Sequence, residues 1–400
     1  MIVKDYIRNF EKMGLGMFVH FGIYSLLGKG EWVKFHYQIP HEEYYPISKD
    51  FCPKPDWAEE LVSTAKSAGC RYITLTARHH DGFSLYDTCG LSDMDAPHVC
   101  GRDLVREFVD ACSKGGIIPF FYHTLLDWMV PSYREDFPAY LAYLRQSVAL
   151  LCQNYGKIGG IWFDGMWDQP TADWEEDAMY QMIRSYQPEA MIINNTGLDA
   201  RGALGHIELD SVTFECGKPH ALNLADSPKY IACEMCQILC GNWGYARHDF
   251  NYKSTADIIE DLCVCRRYRS NYLLNVGPKG DGSLRLIDRG MLEVLGQWVA
   301  LHDEAIRDPH PTAIEIINQP RNFILQKGST YYLFLHRPVE GEKEPHTHRF
   351  ALADKICRAT YLDSTKPVSF TQEGDQVCIS TEAFGYGVNL IVRVVKIECE

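Results

Sequence analysis

The feature that most constrains this chain is a rhythm. Short apolar runs recur at 16–22, 71–82, 117–124, 158–165, 190–195, 210–215, 230–235 and 271–277. Amphipathic stretches at 56–69, 103–116, 137–156 and about 173–186 separate the first five. In the first of these, Leu61, Ala65 and Ala68 share one helical face, and Gly69 stops it. A further helix precedes the eighth run, and 290–306 closes the series. Runs that are apolar on both faces need a parallel sheet covered on both sides. Eight of them, alternating with helices, predict a closed (β/α)8 barrel of the TIM type. Residues 196–250 break the pattern. They are loop-rich and show no clear helix, so the barrel is expected to be irregular around strands five to seven.

Beyond 306 the texture changes. The stretches 322–338, 349–364, 367–383 and 389–398 alternate apolar and polar residues between turn residues, which predicts a small antiparallel β-sandwich. The expected division is therefore a barrel over 1–306 and a sandwich over 307–400. A formal charge of -14 argues against a nucleic-acid partner, since phosphate wants a basic surface. No window approaches the length of an apolar membrane span, and the N-terminal residues lack the apolar core of a secretory signal. Fifteen cysteines without such a signal point to the cytoplasm. Cys233, Cys236 and Cys240 invite a zinc reading, but their apolar flanks favour buried thiols, so no metal is expected.

Catalytic groups of such barrels gather where the strands end. The polar residues predicted there are His20, the run Arg78-His79-His80-Asp81, Tyr122, His123, Asp164, Asn194, Asn195, Glu215, Glu234 and Asn275. Each alone has an ordinary structural explanation; their joint occurrence around one rim does not. A metal-dependent hydrolase would want His-x-His on the first strand, where this chain has one His20 followed by Phe21. The adjacent His79 and His80 would diverge if both lay on a strand. Glycoside hydrolysis needs two carboxylates and aromatic groups to hold a sugar. Trp32, Trp128, Trp162, Trp167 and Trp243 near the rim suit it better. Asp164 is the salient acid, a carboxylate at the tip of "GGIWFD", where burial is costly unless the charge is paired or used.

The ordered motifs resemble one family, the retaining α-L-fucosidases. They are "MGLGMFVHFGIYS" (13–25), Gly30-Glu31-Trp32, "RYITLTARHHDGFSLYDT" (71–88), "IWFDG" (161–165), "DSVTFE" (210–215), "NWGY" (242–245) and "NYLLNVGPKGDG" (271–282). The resemblance covers nearly the whole predicted barrel, with a β domain after it. It implies exo-acting hydrolysis of terminal α-L-fucosides through a covalent glycosyl-enzyme. It implies a fucosylated oligosaccharide or glycoconjugate as partner, and no cofactor. By position, Asp164 matches the nucleophile and Glu215 the acid/base, with Glu234 and Asp249 as rivals. His20, Glu31, Trp32, His79, His80, Tyr122 and Trp162 match positions lining the fucose pocket, and Phe21 or Trp162 would face the sugar's methyl group. Some members carry an Arg after strand five, where this chain has Asn194-Asn195-Thr196-Gly197. The sixth strand continues "ECGKPH" in place of a common Pro-Glu form. Enzymes of this build are often homo-oligomers. The competing readings are another retaining glycosidase on the same barrel and a non-catalytic fucose-binding relative.

Overall fold

The computed structural model describes residues 2–225, 227–338 and 345–400. Eight parallel strands form a closed barrel in chain order. They are β1 (Leu15–Val19), β2 (Tyr72–Arg78), β3 (Ile118–Thr124), β4 (Gly160–Asp164), β5 (Met191–Asn194), β6 (Ser211–Thr213), β7 (Ala232–Ile238) and β8 (Ser270–Val276). The last closes onto the first, with Tyr272–Val276 beside Leu15–Val19. Helices Trp57–Ser67, Leu104–Gly115, Phe137–Asn154 and Glu176–Tyr186 follow β1 to β4. Two start on aspartate caps: Asp103 accepts from the Arg106 N–H at 2.9 Å, and Asp136 from the Ala139 N–H at 3.1 Å.

Among the described residues no helix lies between β5 and β6 or between β6 and β7, in line with the loop-rich sequence there. β5 and β6 meet through one register pair, Ile193 with Ser211. Charge fastens this arc instead. The fully buried Asp210 accepts from Lys229 Nζ at 2.9 Å, Tyr6 Oη at 3.1 Å and the Ile192 N–H at 2.9 Å, and also from Arg184. A buried carboxylate is tolerable only when its lone pairs are met in this way.

The barrel is filled, not hollow. Phe18, Tyr72, Phe120, Tyr122, Trp162, Met191, Ile193, Cys236 and Leu273 form its interior, and Ile7 and Phe10 of the N-terminal helix Asp5–Met13 join the same cluster. Gly160 makes room for it: a Cβ there would stand 2.8 Å from the Phe120 ring and 2.5 Å from the Met191 carbonyl oxygen.

After the barrel come β9 (His310–Pro311), β10 (Phe323–Lys327), β11 (Thr330–His336), β12 (His346–Ala351), β13 (Ile356–Tyr361), β14 (Ser369–Glu373), β15 (Gln376–Thr381) and β16 (Val392–Cys399). They form an antiparallel five-stranded sheet, β13-β16-β11-β10-β9, and a three-stranded sheet, β12-β15-β14. Leu333, Leu335, Val395 and Ile397 of the first meet Phe350, Val377 and Ile379 of the second in one apolar layer. This is the expected sandwich.

The chain forms two compact units, 1–253 with 271–293, and 254–270 with 294–400. The grouping differs from a cut at 306. Helix Thr255–Arg267 and the later part of helix Leu286–Ile306 belong with the sheets, where Trp298 Nε1 donates to the Val392 carbonyl at 3.0 Å and Glu260 pairs with Arg321 and Arg337. No described helix is long and apolar enough to cross a membrane.

Candidate active site

Asp164 is the last residue of β4, in register with Thr124 of β3. Gly165 follows at φ +101°, and a Cβ there would stand 2.7 Å from the Leu126 Cβ. Only glycine lets the chain leave the strand so tightly. The carboxyl stands at the barrel mouth with its side chain 15% exposed. Tyr122 Oη donates to Oδ2 at 3.0 Å. The Trp167 indole N–H and the Asn195 amide donate to Oδ1 at 3.2 and 3.1 Å. His80 Nε2 lies 3.5 Å from Oδ2.

Glu215 stands two residues past the end of β6. The same Asn195 nitrogen donates to its Oε2 at 2.8 Å. Sharing one donor nitrogen, the bonded oxygens of Asp164 and Glu215 lie within about 6 Å of each other. Burial, and then the charge of Asp164, push the Glu215 carboxyl up to about 7. The Asn195 hydrogen bond and the Arg201 guanidinium pull the other way without cancelling this. Arg201 also donates from Nε to the Glu215 carbonyl. An arginine therefore does reach the acid from the loop after β5, further along than the Asn194–Gly197 run.

The rival acids sit elsewhere. Glu234 was expected at the end of a strand over 230–235, but β7 runs Ala232–Ile238, so Glu234 is its third residue and faces the barrel interior. It is 1% exposed, with its oxygens taken by Tyr72 Oη at 2.6 Å and Trp162 Nε1 at 2.9 Å. Burial lifts it to about 7 as well. That value alone does not separate it from Glu215; its enclosure beneath Trp162 does. Asp249 accepts from the Gly241 N–H, the Asn242 amide and the Asn251 N–H, organising its own loop. Partial burial raises its carboxyl, and these bonds outweigh that and hold it below the usual range.

Three histidines converge beside Asp164. His79 and His80 were expected to diverge, but β2 ends at Arg78, so both lie in the turn beyond it and their rings are 4.2 Å apart. The Asn275 amide donates to the Trp243 carbonyl at 2.7 Å, which leaves its oxygen to accept from His20 Nδ1 at 2.6 Å. Thr124 gives its proton to the Leu126 carbonyl and so accepts from His80 Nδ1 at 2.7 Å. Burial holds both rings neutral, His20 down to about 3 and His80 below its ordinary value. With Nδ1 protonated, each keeps a bare Nε2 as an acceptor.

Trp32 stacks on Trp167 at 5.8 Å and lies 5.4 Å from the His80 ring. Glu31 is buried and accepts from the Gly244 N–H at 2.7 Å. Trp162 lies one layer lower, stacked on Tyr122 at 5.7 Å. Phe21 does not face the site. It packs on Phe51 and Trp57 at 5.2 and 5.3 Å. The rings of Phe18 and Trp243 lie next to His20, at 4.6 and 5.2 Å. Trp167, Asn195 and Asn275 were visible as rim residues, but nothing in sequence showed what they hold. No group of three or more His, Cys, Asp or Glu among the described residues is placed to hold a metal ion.

A filled parallel barrel with two facing carboxyl groups, one ringed by donors and one lifted toward neutrality, has the build of a barrel glycoside hydrolase. Comparison with known proteins makes this specific. The chain belongs to the alpha-L-fucosidase family, whose model matches residues 3–304, and it is a glycoside hydrolase. It is 28% identical to the tissue alpha-L-fucosidase of Rattus norvegicus over 92% of this chain and 83% of that protein. The human tissue enzyme is 27% identical, over 83% of this chain and 76% of its own. The solved structure of alpha-L-fucosidase isoenzyme 1 from Paenibacillus thiaminolyticus superposes with a TM-score of 0.86 at 27% identity, covering 99% of both chains. An alpha-L-fucosidase of Bacteroides thetaiotaomicron, trapped as a covalent intermediate with 2-fluoro-fucosyl fluoride, shares the fold with a TM-score of 0.84 at 20% identity, covering 99% of this chain and 96% of that one.

Proposed function

We propose that this chain hydrolyses terminal α-L-fucosides with retention of configuration, Asp164 acting as nucleophile and Glu215 as acid/base. The observation that carries the reading is the single Asn195 nitrogen bonded to both carboxyl groups, at 3.1 and 2.8 Å, which holds their bonded oxygens within about 6 Å and so supports the closer spacing of a retaining pair over the wider one of an inverting pair. Asp164 attacks C1 while Glu215 gives its proton to the departing oxygen; one C–O bond forms as the other breaks. Water, deprotonated by Glu215, then displaces Asp164 and fucose leaves with its α configuration. Glu215 starts protonated below neutrality, which its raised pKa supports.

Hydroxyls of the sugar donate to the bare Nε2 atoms of His20 and His80. Phe18 and Trp243 offer the methyl group an apolar face. A 6-hydroxyl there forfeits about 1–3 kcal/mol, so discrimination against galactose-like sugars is moderate. The natural partner is a fucosylated oligosaccharide or glycoconjugate, and the cysteine-rich composition supports a cytoplasmic setting.

The test is Asp164→Gly on an aryl α-L-fucoside. Turnover is lost in a folded protein, and added azide restores it with β-fucosyl azide as product. Substantial azide-independent activity in that variant would remove the assignment. Tight fucose binding by the unaltered chain with no turnover would select a non-catalytic relative instead.

A further inference from the structure

The Asn195 amide does more than a two-carboxylate mechanism by itself requires. It follows β5 directly, between the strand that ends in Asp164 and the strand that leads to Glu215. Its nitrogen serves Asp164 Oδ1 at 3.1 Å and Glu215 Oε2 at 2.8 Å. Its oxygen is committed the other way, accepting from Thr213 Oγ1 at 2.9 Å and the Gly197 N–H at 3.3 Å. A flipped amide would set its N–H groups against the Gly197 N–H and its oxygen against the Asp164 carboxylate, so the observed orientation is favoured. The side chain is 4% exposed, where such bonds are little weakened by water.

We propose that Asn195 is a positioning residue for the hydrolysis: it fixes the gap between Asp164 and Glu215 and governs which of the two holds the shared proton. The proposal rests on the roles assigned above. Other groups also face the pair. Tyr122 and Trp167 bond Asp164, and the neutral His80 stands beside it. Glu215 feels Arg201 from the loop after β5 and Glu31 from the loop after β1. The Cys216 and Cys236 thiols lie near Glu215, both pushed up by burial and thus uncharged. Arg201 and the Asn195 bond favour the Glu215 anion, while burial, Asp164 and Glu31 oppose it. Deleting the amide leaves the opposing influences in place, so the acid keeps its proton to higher pH.

Asn195→Ala is therefore expected to lower kcat/KM on a fucosyl disaccharide by about 10- to 100-fold, mostly in kcat. It should move the alkaline limb of the pH profile upward by about half a unit or more. Thr213→Val, whose native hydroxyl bonds the Asn195 oxygen, should move the limb the same way by less. A folded Asn195→Ala enzyme with an unmoved limb, or with its loss entirely in KM, overturns the proposal. If that variant does not fold, Thr213→Val decides by the same two readouts. The two readings fail separately: an active Asp164→Gly enzyme defeats the assigned roles, whereas an inactive one beside unmoved limbs defeats only this inference.

Discussion

Replacing Glu215 with Gln keeps the side chain's shape and its contact with Asn195 while removing the proton that the proposed mechanism gives to the leaving oxygen. The size of the loss follows from that proton. With a carboxyl near 7, roughly nine tenths of the molecules carry it one pH unit below and about one tenth one unit above. Native kcat/KM on a fucosyl disaccharide should thus fall about tenfold per unit on the alkaline side of neutrality. General-acid help contributes about 10²–10⁴-fold when the leaving group is a poor one such as a sugar alcohol. Glu215→Gln is expected to lose that factor on the disaccharide. On a dinitrophenyl fucoside, whose leaving group departs unaided, the first step should lose less than about tenfold. The fucosyl-enzyme then accumulates, and azide should discharge it as α-fucosyl azide. The assay is steady-state and burst kinetics on the two substrates, with NMR of the azide product. Equal fractional losses on both substrates, or a β-configured azide, would refute the reasoning.

Glu234→Gln tests the rival acid. It should keep activity within about tenfold of native, because both Glu234 oxygens are spent on Tyr72 and Trp162. It should also change stability with a definite sign. The folded pKa of Glu234 is raised from 4.5 to about 7, so the folded state binds this proton more tightly than the unfolded chain and gains stability as pH falls from 7 toward 4.5. The cost of the buried carboxylate, on the order of 3 kcal/mol, is present above neutrality. Thermal melts should show native minus variant stability declining between about pH 5 and 8; a flat difference would contradict the placement. Gly165→Ala forces a Cβ to within 2.7 Å of the Leu126 Cβ at φ +101°. It should cost about 1–3 kcal/mol in denaturant melts. By displacing Asp164 it should also lower kcat by up to about 100-fold, and unchanged kinetics would count against a strained turn aiming the acid.

Much of this was legible in the sequence because it rests on local pattern. The β4 run "GGIWFD" shows its glycines and its acid in order, and Gly160 and Gly165 turn out to serve close packing on either side of Asp164. The sandwich showed itself by period-two alternation, and the missing helices between β5 and β7 by their absence from the pattern. What stayed hidden depends on where strands stop and on contacts between distant segments. Glu234 and Glu215 look alike as acids closing short apolar runs, yet a shift of about three residues in the end of β7 buries one and leaves the other at the rim. In the sequence His79 and His80 look like strand neighbours, because the run continues past Arg78, where the hydrogen-bonded strand stops. The Asn195 bridge joins the ends of three strands and has no one-dimensional signature. Nor has the Asp210 cluster, which draws Tyr6, Arg184 and Lys229 from far along the chain.

The helix-free arc between β5 and β7 has a consequence for how such an enzyme changes over evolutionary time. Asp164 hangs on β4, which is paired along its length with β3 and β5 and backed by helices, so alterations near it disturb a well-supported part of the scaffold. Glu215 and its surrounding loops hang on a three-residue strand anchored from below by one ionic knot. Insertions and deletions in that sector leave the footing of Asp164 alone. The lightly built sector can thus take up changes on one side of the bond that is broken without disturbing the strands that carry Asp164 on the other.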